Sequence, residues 1–128
     1  VNDIKKLLKE VFTAYVPSFF LLADSGFPRL IYDAKQIYTD EPYEKFIITC
    51  DIYDITTTER IDDIVSKINA DIGLCTIEFK SDYYKFYKSD DRQYIAESDK
   101  SIKRIRFSYE LRRYRKDRTQ WEQLKLDR

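Results

Sequence analysis

Residues Phe46 to Tyr53 alternate in a way that only a strand can use. Phe46, Ile48, Cys50 and Ile52 fall on one side, and Ile47, Thr49, Asp51 and Tyr53 on the other. Successive strand side chains point to opposite faces. Both sets contain apolar residues, so the spacing predicts a strand inside a sheet, over Tyr43 to Tyr53. A second long alternation runs from Lys100 to Arg115. There Ile105, Phe107, Tyr109 and Leu111 oppose Arg104, Arg106, Ser108, Glu110 and Arg112. Any fold must seat these two strands first.

Two segments carry the helical period instead. Ile4, Leu7, Leu8, Val11 and Phe12 form one apolar stripe, closed off by Pro17, which cannot continue a helical ladder. Ile61, Ile64, Val65, Ile68 and Ile72 form another. Thr56 and Glu59 have capping-box spacing before it, and Gly73 stands where a left-handed stop would. Ile64 is expected in the core. Between and after the stripes, Phe19–Leu22, Arg29–Tyr38, Leu74–Lys80, Tyr83–Lys88 and Gln93–Ala96 read as further strands, with turns at Asp24-Ser25-Gly26 and Thr39–Pro42. Arg29–Tyr38 and Tyr43–Tyr53 are predicted to pair as a hairpin. The order α-β-β-β-α-β-(β-β)-β predicts an α+β fold, a mostly antiparallel β-sheet with two amphipathic helices packed on one face. At 128 residues the chain has room for one domain, taken as residues 1–116, with 117–128 as a C-terminal tail or docking arm.

Composition narrows the chemistry. There is no His, which removes the commonest general base and metal ligand and with it Ser-His and Cys-His nucleophiles. Two glycines are too few for a glycine-rich phosphate loop. Cys50 and Cys75 read as two buried free thiols of a reducing compartment, with no ligand-spaced partners for a metal. No run of about 18 apolar residues is present to span a membrane, and the first residues lack a signal-type apolar stretch. The reading is therefore of a non-enzyme without a cofactor that works through protein interfaces. Glu78-Phe79-Lys80 matches the end of a metal-dependent nuclease pattern, but the acids upstream, Asp51 and Asp71, are separated from it by a helix or by a helix end, and it reads as an ordinary strand pair.

Charge is unevenly spread under a net charge of zero. Residues 98–128 hold eleven basic and five acidic side chains, and the rest of the chain holds the opposite excess. Such a molecule can associate head to tail. Arg104, Arg106, Arg112, Arg113 and Arg115 form a basic stripe. Tyr83, Tyr84, Phe86 and Tyr87 crowd one short strand, and alternation cannot bury all four rings on one side. These nine residues are the candidate subunit interface. Arg104 and Arg106, expected on a solvated or inter-subunit face, should be replaceable by Glu without unfolding.

Four segments give the chain a family likeness: the helix Asp3–Tyr15, the strand lead Phe27-Pro28-Arg29-Leu30-Ile31-Tyr32, the strand Ile48-Thr49-Cys50-Asp51-Ile52-Tyr53-Asp54, and the closing strand Arg106-Phe107-Ser108-Tyr109-Glu110-Leu111-Arg112. In these the sequence resembles the tail terminator, or tail completion (tail-to-head joining), proteins of long-tailed bacteriophages and prophages. Tyr53 stands where many members carry Trp, and the residues after Lys116 have no counterpart. The resemblance implies a structural protein forming a homo-oligomeric ring, hexameric on the tail, that caps the tail tube, stops its growth and joins tail to head. Its implied partners are the tail tube protein and a head connector or completion protein. DNA would pass through the lumen without sequence-specific binding, and no membrane is involved. The implied location is the virion's tail–head junction, after assembly in a bacterial cytoplasm. The alternatives are another phage neck or head-completion protein, or a small nucleic-acid-binding accessory module.

Overall fold

Every element in the predicted order is present. The computed structural model describes residues 2–21, 26–89 and 91–115. The turn residues Asp24 and Ser25 and the predicted tail 117–128 lie outside them. Helix α1 (Asn2–Thr13) is followed by β1 (Ser18–Phe20), β2 (Arg29–Ile37), β3 (Glu44–Ile55), helix α2 (Glu59–Ile72), β4 (Thr76–Phe79), β5 (Asp82–Lys88), β6 (Gln93–Ile95) and β7 (Ile102–Tyr114). The two long alternating segments become neighbours: β3 and β7 pair antiparallel from Glu44↔Arg113 to Ile55↔Ile102. The predicted hairpin places β2 against the other edge of β3. The order is β1-β2-β3-β7-β5-β4, with β6 pairing β7. All pairs are antiparallel except β1 with β2. The fold is α+β and sheet-dominated, with a curled sheet.

The alternation determines which face is covered. Across the three central strands, Leu30, Ile52 and Ile105 form one row and Tyr32, Cys50 and Phe107 the next. Phe46, Leu111 and Phe86 form a third. All are buried in one cluster with Ile4, Leu7, Leu8 and Phe12 of α1 and Ile61, Val65, Ile68 and Ile72 of α2. Both helices therefore pack on the same face. The Phe12 ring lies 5.7 Å from that of Tyr32 and 6.4 Å from that of Tyr109. The Tyr109 hydroxyl donates to Asn69 Oδ1 on α2 at 2.5 Å, and the Tyr32 hydroxyl to the Lys5 carbonyl on α1 at 3.3 Å. Buried phenols need such partners.

Four local expectations are corrected. Thr56 caps nothing: it has φ 78° and gives its N–H to Ser101 O, while Thr58 holds the N-cap position without a side-chain cap bond. Acidic Glu59 and Asp62 in the first turn suit the positive end of the helix dipole instead. Gly73 is right-handed, with φ −59°. A Cβ there would lie 2.3 Å from the Asn69 carbonyl oxygen of the last helical turn and 3.0 Å from Lys88 Cδ, so the glycine serves close packing against the end of its own helix rather than handedness. Ile64 is only half-buried, at the margin of the stripe that Ile61, Val65 and Ile68 bury fully. Cys50 is buried as expected, but Cys75 is only partly so; both are free thiols.

Candidate interaction surface

With both helices on one side, the other face of β3, β7 and β5 is left without a covering layer among the described residues. Alternation assigns Asp51, Arg104, Arg106, Glu110 and Arg112 to it, together with Tyr83 and Tyr87. The arginines are not a free basic stripe. Arg106 is the cross-strand partner of Asp51, and Arg104 lies one step along the same face. Both donate through Nε to Asp51 Oδ1 at 3.0 Å, and Arg106 Nη2 reaches Asp51 Oδ2 at 3.3 Å. Arg104 also donates to Glu97 Oε1 at 3.2 Å, and its guanidinium lies 5.5 Å from the Tyr53 ring. The Asp51 side chain is only 14% exposed, so this shared carboxylate is shielded by the arginines it holds.

A second knot lies further along β7. Glu110 takes a bond from Arg112 Nε at 2.5 Å and pairs with Lys45 at 3.3 Å. Burial alone would raise the Glu110 carboxyl, but Arg112 and Lys45 outweigh it and hold it below its ordinary value. The Arg112 guanidinium lies 4.3 Å from the Tyr87 ring and 4.5 Å from the Tyr43 ring. Rings and cations in this arrangement attract through the ring quadrupole. The face is thus a mosaic of paired charges and half-buried tyrosines.

Three members of the predicted interface are placed elsewhere. Tyr84 and Phe86 are fully buried against the core, because even positions of β5 face the helices. A partner cannot reach them, and the surface aromatics of this strand are Tyr83 and Tyr87. Arg113 is on the covered side of β7 and is 8% exposed. Its Nε and Nη2 donate to Asp82 Oδ2 at 3.0 and 2.7 Å, with Asp3 and Glu44 within 3.9 Å. It ties the end of β7 to β5 and the start of α1. Arg115 is exposed and pairs with Glu44 at 2.7 Å. Sequence reasoning missed Asp51 as the joint anchor of Arg104 and Arg106, although the alternation put it on the same face. It also missed Asp54, which is buried at the end of β3. Asp54 accepts from Arg60 Nε at 2.7 Å, from Arg60 Nη2 at 2.6 Å and from the Ile55 N–H at 2.8 Å. The Arg60 bonds hold its carboxyl below the ordinary carboxylate value.

Of the nuclease-like triplet, Glu78 is on edge strand β4 and Lys80 is in the turn after it, paired with Asp3 at 3.5 Å. Among the described residues no group of three or more Cys, Asp or Glu could hold a metal ion. Nor, among them, is any helix long and apolar enough to cross a membrane.

No protein-family model and no curated protein matches the chain. A solved structure whose name states no function superposes with a TM-score of 0.67, covering 91% of this chain and 94% of that one at 8% identity. At that identity the likeness concerns the fold alone.

Proposed function

We propose that this chain is a structural subunit of a phage or prophage tail, a terminator that assembles as a ring on the head-proximal end of the tail tube, stops its growth and joins tail to head. One observation carries the reading. Two segments of the family resemblance, in β3 and β7, are side by side in register, Cys50↔Phe107 and Asp51↔Arg106, and together build the sheet face that neither helix covers. Interfaces of assembled proteins are enriched in Tyr and Arg, and this face presents Tyr43, Tyr53, Tyr83 and Tyr87 among Arg104, Arg106 and Arg112. The nucleic-acid alternative draws less support, because a phosphate would have to displace Asp51 from Arg104 and Arg106.

Deleting the gene from the genome that carries it, and imaging the particles by electron microscopy, tests the reading. Tails of uncontrolled length, or tails without heads, are expected, with normal virions restored by the gene in trans. Normal virions from the deletion itself overturn it.

A further inference from the structure

Residues of the two edge strands, β1 and β4, meet those of α1 around a groove of about 550 Å³. Its apolar wall is Phe19 and Phe20 from β1 and Phe79 from β4. Its rim is cationic. Lys5 lies 4.4 Å from the Phe20 ring, Lys9 4.7 Å from the Phe19 ring, and Lys80 5.7 Å from the Phe79 ring. Lys9 also donates to the Ser18 carbonyl. Lys80 is partly neutralised by Asp3, and among the described residues lining the groove Glu10 is the acid. Lys5 and Lys6 make no ion pair among the described residues. The groove is therefore suited to an aromatic side chain flanked by carboxylates.

Such a segment exists on the same chain. The turn between β2 and β3 carries Tyr38, which is 90% exposed, followed by the exposed acids Asp40 and Glu41. Neither acid makes an ion pair among the described residues. We propose that the β2–β3 tip of one copy docks in the α1 groove of the next, with Tyr38 against the phenylalanines and Asp40 and Glu41 facing Lys5 and Lys6. Tip and groove are different surfaces, so the contact is heterologous, the kind that propagates around a ring. This inference rests on the ring reading and supplies a side-to-side contact for it. The residues after Arg115 are a poorer match for a lysine rim, since they carry more basic than acidic side chains.

Disulfide trapping between full-length copies tests the contact, in a Cys75→Ser background. Copies carrying Thr39→Cys, beside the docked Tyr38, are mixed with copies carrying Lys6→Cys, at an exposed position on the rim. The mixed disulfide is expected to exceed either self-disulfide on the order of tenfold, because docking raises the local thiol concentration. Asp40→Lys/Glu41→Lys on the tip copy should lower its yield on the order of tenfold, and adding Lys5→Glu to the groove copy should restore part of it. No excess of mixed disulfide at about 1 mM chain overturns the contact, since that concentration would populate even a weak complex. If closed rings form without that excess, the contact fails and the ring stands. A closed dimer that gives the mixed disulfide keeps the contact and overturns the ring. A Lys6→Cys/Trp121→Cys chain that closes on itself puts the terminal segment in the groove and overturns the proposal.

Discussion

At the residue scale the decisive group is Asp51. Alternation alone places it on the face of Arg104 and Arg106, but not within 3.0 Å of both. The sequence view of those arginines as freely reversible changes accordingly. Arg104→Glu/Arg106→Glu would gather two new carboxylates around the shielded Asp51 and the half-buried Glu97. The double variant should lose about 1–3 kcal/mol in urea unfolding, the cost of like charges around a shielded carboxylate being discounted because the Arg106 side chain is 41% exposed. Adding Asp51→Lys should recover part of the loss. An unchanged urea midpoint would mean that the arginines swing free in solution. Asp54 makes a second, pH-linked prediction. Its carboxyl is held below its ordinary value, chiefly by Arg60. A depressed carboxyl stabilises the fold above the unfolded-state pKa of about 3.9 and loses that stabilisation as pH falls through the folded value. Stability should therefore decline below about pH 4. Asp54→Asn should cost about 1–2 kcal/mol at neutral pH, discounted for the exposed Arg60 guanidinium, and should flatten part of the acid slope. Urea midpoints from neutral to acid pH check both.

At the element scale the periods were readable and the ends were not. Helix stripes and strand alternation depend on residues a few positions apart, so sequence spacing alone reveals them. The ends depend on what the chain meets next. Thr56 looked like a cap by spacing, yet its N–H is taken by Ser101, forty-five residues away, and its φ of 78° is costly for a β-branched residue. Thr56→Gly should thus stabilise by up to about 1 kcal/mol, whereas putting Gly in place of a true cap would cost about a few tenths of a kcal/mol. Gly73 behaves in the opposite sense. A methyl at Gly73 would meet a backbone oxygen that cannot swing aside, so Gly73→Ala should cost about 1–3 kcal/mol. Thermal melts of the two variants side by side separate close packing from capping. An insensitive Gly73→Ala would show that the last turn of α2 yields easily.

At the scale of the whole molecule, sequence spacing ran out at strand order. Nothing local says that β7 enters between β3 and β5, that β1 joins β2 in parallel, or that α1 comes to rest near both edges of the sheet. Those choices are made by contacts between distant residues, and Phe12 is where several converge. It sits on α1 with its ring near Tyr32 of β2 and Tyr109 of β7, and Tyr109 in turn bonds Asn69 of α2. One side chain thus touches both halves of the covered face and, through Tyr109, the second helix. Phe12→Ala should cost about 3–5 kcal/mol, the range for deleting a buried aromatic ring. Because helices and sheet share a single cluster, the loss should not be confined to α1. Far-ultraviolet circular dichroism, which follows helices and sheet, and the near-ultraviolet tyrosine signal should shift together to lower urea and remain superimposable, as two-state unfolding requires. If the far-ultraviolet transition split, with a helical fraction melting ahead of the tyrosine signal, α1 would be an independently unfolding flap. The groove it floors would then open and close with it, and tip docking would have to order the helix as well as fill the groove.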